Sequence, residues 1–149
     1  MRDTGLLDLD SQFCFALYAA ARRVVRDYAE ALKPLDLTYP QYLVMLVPWA
    51  WARDGHSRPT VKALGERREL DSGTLTLLQR RLQEKGMVMH KRVSSDEREL
   101  YLFVTTQGAR LKRKVRAIPF KMVETCPLTL DQLVELRDHL KRFRSADAA

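Results

Sequence analysis

A cysteine near the start of the chain and the tyrosines that follow it are the residues with the clearest chemical potential. Cys14 lies between two phenylalanines. The thiolate is the form of cysteine that reacts with oxidants, and a phenol stabilises it by donating a hydrogen bond. Tyr18, Tyr28 and Tyr39 are the candidate donors. A cysteine in such surroundings is more often a small buried hydrophobe, so the residues alone leave both interpretations open.

The spacing of these residues predicts how they can meet. A long helix is expected from Ser11 to about Leu35, and Tyr18 lies one turn from Cys14 on it. Tyr28 lies on the same side of the helix as Cys14 and Tyr18. It is about 21 Å from Cys14 along the helix axis, however, which is beyond the reach of any side chain. Two copies of the helix paired antiparallel around Ala21 would bring Cys14 of one copy to Tyr28 of the other. The wide apolar face of this helix independently predicts a dimer interface.

A second informative stretch, from Leu70 to Gly86, predicts a short amphipathic helix. Asp71 and Ser72 are suited to cap its start, and Gly86 to end it. Its buried stripe is formed by Leu75, Leu78 and Leu82. The opposite face is small, hydroxylated and cationic, which fits a DNA major groove but also an ordinary solvated helix. The candidate DNA contacts are Ser72, Thr74, Thr76, Arg80 and Arg81.

The neighbours of this helix favour the DNA-binding interpretation. Val61–Arg67 predicts a shorter helix before it, joined by a brief turn, as in a helix-turn-helix. Met87–Val93 and Arg98–Val104 are strand-like runs around a polar turn. The predicted fold class is therefore mostly α with a small β-wing, a winged helix-turn-helix that binds DNA.

Three more helices are expected around this unit. A core helix should run from Tyr39 to about Arg53, because Thr38 and Gln41 have the spacing of a capping box. Another should pass from Thr105 or Thr106 through a basic run toward Ile118. A last amphipathic helix should begin after a second capping box, Thr129–Gln132.

Composition limits the possible functions. The chain has 149 residues, with 26 Lys and Arg against 19 Asp and Glu, and its net charge of +7 favours a polyanionic partner. It has no Gly-rich phosphate loop, no H-E-x-x-H motif and no Cys/His cluster with metal-ligand spacing, so we expect no enzyme, metal or cofactor. It lacks a membrane-spanning run and a signal peptide, and two cysteines do not make a disulfide scaffold. A cytoplasmic protein without a membrane partner is expected.

Five segments, in the correct order, resemble the organic-hydroperoxide-sensing branch of the MarR family. They are Phe13–Tyr18, Leu37–Leu46, Leu64–Arg67, Leu70–Thr76 and Asp96–Arg98. The resemblance implies a single MarR-type domain over residues 1–149, with dimerisation helices at 8–36 and 106–145 and a DNA-binding lobe at 38–104. The family usually has Pro and Leu where this chain has Leu77 and Gln79.

The resemblance also implies roles for individual residues. The protein would be a homodimeric repressor that binds double-stranded operator DNA, with organic hydroperoxides as inducer. Cys14 would be oxidised to a sulfenic acid and then a disulfide, with Cys126 or a low-molecular-weight thiol as partner. Tyr28 and Tyr39 would hold the thiolate across the dimer. In the wing, Arg98 braced by Asp96 would enter the minor groove, and Lys91 is a further candidate contact.

Two other functions fit parts of the sequence. The first is a MarR-type repressor released by a small phenolic ligand instead of thiol oxidation. The second is a thiol peroxidase using Cys14 and Cys126, which a winged helix and the scarcity of basic residues near Cys14 disfavour. Replacing Cys14 by serine separates the first alternative from a thiol sensor, because a ligand sensor stays inducible.

Overall fold

The fold comes from a computed structural model that describes residues 5, 7–55, 60–67, 72–92 and 99–145, the side chains of residues 66, 67 and 72 excepted. It forms two compact units, Met1–Val115 and Arg116–Ala149. The assignment of 8–36 and 106–145 to dimerisation and 38–104 to DNA binding stays a prediction. Within the described residues, no helix has the length and apolarity needed to cross a membrane.

The first unit begins with a long helix, α1 (Phe13–Leu32), preceded by a 3-10 turn at Leu9–Ser11 and followed by another at Lys33–Leu35. The helix thus ends before Pro34, whose ring restricts the preceding residue and lacks an N–H. The left-handed residue Asp36 (φ 51°) then redirects the chain. Most of α1 is exposed in the single chain, whereas Leu32 at its end is fully buried.

Helix α2 (Tyr39–Asp54) is the centre of the core, as its sequence predicts. The capping box is present: Thr38 N–H donates to Gln41 Oε1 (3.2 Å) and Gln41 N–H donates to Thr38 Oγ1 (3.3 Å). Gly55 ends the helix with φ 70°. The side chains that α2 buries are Gln41, Tyr42, Val44, Met45, Val47, Pro48, Trp49 and Trp51.

The predicted winged helix is confirmed. Helices α3 (Val61–Arg67) and α4 (Ser72–Glu84) precede an antiparallel hairpin of β1 (Val88–Arg92) and β2 (Leu100–Val104), in which Val88 pairs with Val104 and Arg92 with Leu100. Helix α4 packs on α2 and β1, and α2 also packs on β2. The predicted turn between the strands lies outside the described residues.

Helix α5 (Thr106–Val115) is fastened to the base of the wing and to α2. Trp49 Nε1 donates to Gly108 O (3.1 Å), and Lys112 Nζ donates to Trp49 O (3.1 Å). At the other end, Thr105 N–H donates to Met87 O (3.2 Å). A side chain at position 108 has no room, since a Cβ there would lie 2.2 Å from Met87 O.

The helix expected to run from Thr105 or Thr106 toward Ile118 is shorter than predicted. It ends at Val115, and a separate helix, α6 (Ala117–Glu124), follows in the second unit. Pro119 explains the break, because in a continuous helix its ring would clash with the carbonyl of Val115. In the first turn of α6 the missing N–H of a proline costs little.

The second unit contains α6 and α7 (Leu130–Ser145). The predicted capping box opens α7, with Thr129 N–H donating to Gln132 Oε1 (2.9 Å) and Gln132 N–H donating to Thr129 Oγ1 (3.3 Å). Helix α7 buries none of its residues within the single chain. Its exposed apolar side chains are Leu130, Val134, Leu136 and Phe143.

Candidate functional site

The outer face of α4 is available for contacts with another molecule. Leu75, Leu78 and Leu82 are buried, as their spacing predicts. The predicted DNA contacts Thr74, Thr76, Arg80 and Arg81 are exposed on the other side. Ser72 is the first residue of the helix. The helix therefore presents hydroxyl and guanidinium groups outward, as the pattern of its sequence indicates.

Arg80 forms an exposed ion pair with Glu84, one helical turn away. Arg80 Nε lies 3.0 Å from Glu84 Oε1, and both side chains are largely solvent-accessible. Pairs of this type contribute little to stability because water and salt screen them. Arg80 can therefore exchange this carboxylate for a phosphate or a base edge at small energetic cost.

Strand β1 of the wing packs on α4 and carries exposed basic side chains. Lys91 is exposed on β1, where it pairs with Tyr101 of β2. Asp96 and Arg98, the other predicted wing contacts, lie outside the described residues, and their role stays a prediction.

A polar network that the sequence analysis did not predict joins α4 to β1. His90 Nε2 lies 3.2 Å from Gln79 Oε1, and His90 Nδ1 contacts Gln83 Oε1. Gln79 is only 4% exposed, and among the described residues its Nε2 is a buried donor without a partner. Burial lowers the pKa of His90 from its ordinary value. Gln79, where the resembled family usually has leucine, is the feature of the sequence that could have indicated this network. A polar residue beside a stripe of buried leucines needs hydrogen-bond partners when it is buried.

Cys14 lies in the first turn of α1, on its exposed side. Its Sγ is 3.8 Å from Gln12 Oε1. The predicted neighbour Tyr18 is oriented by Arg22, whose Nη1 donates to the Tyr18 hydroxyl (3.1 Å) and whose guanidinium lies 5.6 Å from the ring centroid. Since the Tyr18 oxygen accepts this bond, its own hydrogen remains available for donation.

Tyr28 and Tyr39 meet in a cluster where the second half of α1 faces the start of α2. Their ring centroids are 5.1 Å apart. A third ring, Tyr42, lies 5.5 Å from that of Tyr28 and 6.2 Å from that of Tyr39. Tyr42 is not among the predicted site residues, although its spacing of three residues from Tyr39 on a helix makes the two side chains neighbours.

The environment of the cluster keeps its phenols protonated. Burial, and then the proximity of Tyr39, raise the pKa of Tyr28, while a hydrogen bond with Tyr42 lowers it. For Tyr42, burial and the two neighbouring phenols raise the pKa to about 12. Tyr28 and Tyr42 are therefore protonated, and able to donate hydrogen bonds, at physiological pH.

Cys126 follows α6 in the second unit and is half-buried. Its backbone N–H donates to Val123 O (3.1 Å). The pairing of Cys126 with Cys14 stays a prediction. Within the described part of the chain, no group of three or more His, Cys, Asp or Glu side chains is arranged to hold a metal ion.

The chain is similar to known transcriptional regulators. The model for the transcriptional regulators SarA and Rot matches residues 27–115, more than half of the chain. A curated relative, the organic hydroperoxide resistance transcriptional regulator of Bacillus subtilis, is 37% identical over 134 residues, which are 90% of this chain and 88% of the relative. The chain belongs to the MarR/SarA family of winged-helix transcriptional regulators. As a member of the MarR/SarA family it is a transcriptional regulator, and these relatives are regulators rather than enzymes.

Two further relatives complete the comparison. The regulator TtmR of Methylorubrum extorquens is 44% identical over 147 residues, 97% of this chain and 73% of the relative. Among solved structures, reduced AbfR bound to DNA has a TM-score of 0.73 at 29% identity and covers 95% of both chains. AbfR is also known in an overoxidised form bound to DNA (TM-score 0.66, 32% identity, 91% of this chain and 95% of AbfR) and in a disulfide form (0.63, 31%, 91% of both chains).

Proposed function

We propose that this regulator is a homodimeric repressor that binds operator DNA when Cys14 is reduced and releases it when an organic hydroperoxide oxidises Cys14. The position of Cys14 carries the proposal: the thiol is exposed on an apolar helix face that a single chain leaves uncovered. Phe13 beside it is 69% exposed. A second copy packed on this face would bring the thiol into the dimer interface, where oxidation changes the packing.

The similarity to the Bacillus subtilis regulator supports an organic hydroperoxide as the inducer. The thiolate of Cys14 attacks the hydroperoxide, the O–O bond breaks, the sulfur becomes a sulfenic acid and an alkoxide leaves as the alcohol. A second thiol then attacks this sulfur, which gives a disulfide and water. The second thiol is Cys126 or a low-molecular-weight thiol.

The AbfR structures favour the disulfide as the step that releases DNA. AbfR was captured on DNA both reduced and overoxidised, so an oxidised sulfur alone is compatible with DNA binding in that protein. A disulfide imposes a fixed distance between two sulfur atoms and can therefore displace the elements that carry them. We assign the release of DNA by this regulator to formation of the disulfide.

DNA recognition is assigned to α4 and the wing. Helix α4 would enter the major groove with Ser72, Thr74, Thr76, Arg80 and Arg81, and one copy of the dimer would read each half of a pseudo-palindromic site. The wing would reach the flanking minor groove with Lys91 and with Arg98 braced by Asp96.

Titration of a DNA complex with hydroperoxide tests the proposal. A binding site would first be selected from random duplexes with the reduced protein. Binding would then be measured by fluorescence anisotropy as cumene hydroperoxide is added, with intact-mass analysis of the same samples. We expect wild type to lose at least tenfold in affinity and Cys14→Ser to lose none. Cys126→Ser should respond only when a low-molecular-weight thiol is added, if Cys126 is the internal partner.

Three outcomes would contradict the proposal. Unchanged affinity in wild type with a disulfide at Cys14 would exclude the thiol switch. Release of Cys14→Ser by a phenolic carboxylate, with no response of wild type to hydroperoxide, would identify a ligand-released repressor. Repeated turnover of hydroperoxide with a thiol reductant, without DNA binding, would identify a peroxidase.

A further inference from the structure

The two strands of the wing pack on different helices. Strand β2 packs on α2 and α3, whereas β1 packs on α4. Val88, at the base of β1, is 2% exposed and anchors the strand by apolar burial. His90 lies on the same face of the strand, two residues nearer the tip, and pairs with the buried Leu102 of β2. His90 therefore faces α4 further out along the wing than the apolar anchor does.

His90 joins β1 to α4 through two glutamines that are one helical turn apart. Its Nε2 lies 3.2 Å from Gln79 Oε1, and its Nδ1 contacts Gln83 Oε1. A neutral imidazole has one N–H, so it donates to one of these oxygens at a time, and the tautomer decides which. Either tautomer links the strand to the helix by a directional bond, whereas apolar contact has no preferred direction.

The contact with Gln79 lies where a polar side chain costs stability. Gln79 is 4% exposed beside the leucine stripe of α4, and among the described residues its Nε2 has no hydrogen-bond partner. A buried donor without a partner destabilises a fold, and an apolar side chain of similar size would avoid the penalty. A polar contact at such a position is explained if it selects one arrangement of two elements instead of strengthening the fold.

The contact between His90 and Gln79, here called the His90–Gln79 bridge, lies beside predicted DNA contacts on both elements. Gln79 precedes Arg80 on α4, and His90 precedes Lys91 on β1. The side chains of Arg80 and Lys91 are exposed, while Gln79 is buried and His90 is half-buried. The angle between α4 and the wing determines whether major-groove and minor-groove contacts can form at the same time.

We propose that His90 is a positioning residue for DNA recognition: by holding β1 on α4 through Gln79, it sets the angle at which the wing meets the minor groove while α4 lies in the major groove. This inference rests on the proposed assignment of DNA recognition to α4 and the wing. The His90–Gln79 bridge lowers the stability of the fold and raises its affinity for DNA.

Gln79→Leu tests the proposal, because stability and affinity should change in opposite directions. The change removes the buried amide and leaves His90 with the exposed Gln83, where water competes for the same bond. We expect the reduced variant to unfold at a higher urea concentration than wild type and yet to bind a selected duplex roughly two- to fivefold more weakly. Affinity as high as that of wild type, or higher, would overturn the proposal.

Fluorescence anisotropy at pH 8 measures this affinity. The ring of His90 is neutral at this pH, since burial lowers its pKa. His90→Phe removes both ring nitrogens and keeps a planar side chain, so it should weaken binding further, by roughly five- to tenfold. Gln79→Leu keeps the proposal falsifiable if His90→Phe folds poorly.

Two control variants remove contacts that do not belong to the His90–Gln79 bridge. Gln83→Leu, on α4, keeps the buried contact and should bind DNA like wild type. Tyr101→Phe, on the wing, removes a buried hydroxyl that donates to Glu99 Oε2 (2.6 Å), two residues away. It should also bind like wild type. A loss in Tyr101→Phe as large as that in His90→Phe would mean that any damage to the wing weakens binding, and would refute the specific role of His90.

The length of the duplex shows whether the lost affinity belongs to the wing. One duplex would include the flanking minor grooves, and the other would be trimmed to the part that α4 contacts. We expect wild type to bind the trimmed duplex more weakly, and Gln79→Leu and His90→Phe to differ from wild type only on the long one. Equal losses on both duplexes would indicate damage to α4 itself and would overturn the positioning role.

Failure of the proposed function gives a different result. Reduced wild type that binds no duplex would contradict DNA recognition and, with it, the role of His90. Tight binding by wild type with unchanged affinity in both variants would contradict the role of His90 alone. All these measurements use reduced protein, so they test His90 whether or not oxidation releases DNA.

Discussion

Replacement of Gly108 by alanine should loosen the attachment of α5 to the wing. The new Cβ would lie 2.2 Å from Met87 O and 2.9 Å from Val104 Cγ1. The obstructing atom is a backbone oxygen, so the two segments must separate by about 1 Å to restore van der Waals contact. Because the obstruction is backbone, the overpacking cost lies in the upper part of its usual range, about 2–3 kcal/mol, and the better helix propensity of alanine returns at most about 1 kcal/mol. We expect Gly108→Ala to lower Tm by roughly 2–8 °C.

Gly65→Ala is the matched control, since Gly65 is also helical but has space beside it. A Cβ there would meet only Leu75 Cδ2, at 3.4 Å. Without a clash, the propensity gain of about 0.5–1 kcal/mol should raise Tm by roughly 1–4 °C. Both variants would be compared with wild type by calorimetry at one protomer concentration, because dimerisation makes Tm concentration-dependent. A Gly108→Ala protein as stable as wild type would refute the reasoning.

Three further changes are predicted from the described contacts. Gln79→Leu should raise the free energy of unfolding in urea by about 1 kcal/mol, because it removes a buried donor that lacks a partner among the described residues, while His90 exchanges its contact with Gln79 for the one it keeps with Gln83. The exposed Gln83→Leu removes no buried donor and should bring no such gain. Burial lowers the pKa of His90, so the unfolded chain binds a proton at this residue more readily than the folded protein does. The contribution of neutral His90 to the free energy of unfolding should therefore be full above pH 6.5 and should decline as the pH falls below that value. His90→Gln should flatten this part of the curve of Tm against pH. Arg80→Ala should change Tm by no more than about 2 °C, because the side chain is exposed. If Arg80 contacts a base, the same change should weaken DNA binding by about 1–3 kcal/mol. A gel shift measures this loss, with the α7 variant Arg142→Ala as the control.

Local patterns predicted the helices and the wing because each signal acts over a few residues. The capping boxes at Thr38 and Thr129 are formed as expected, and the leucine stripe of α4 is buried. The end of α5 was missed because it depends on Pro119, four residues beyond the last helical residue.

The network around Gln79 and the ring contacts of Tyr42 could not be predicted in the same way. Each depends on contacts between two separate elements: His90 reaches back to α4 from β1, and Tyr42 meets Tyr28 from a different helix. Spacing along one helix identifies which residues share a face but not which residue of another element lies opposite. The chemistry and spacing of Cys14 are enough to make it a candidate, while the interface proposed for it involves a second copy of the chain.

The bonds of Trp49 and Lys112 to the main chain have a consequence for signalling. They fasten α5 to α2 at two successive turns, while Thr105 fastens the start of α5 to the base of the hairpin. We therefore expect the three elements to move together, so that a displacement of α5 is passed on to the hairpin. If the proposed oxidation displaces α5, affinity for DNA would fall without any chemical change in the side chains proposed to contact it.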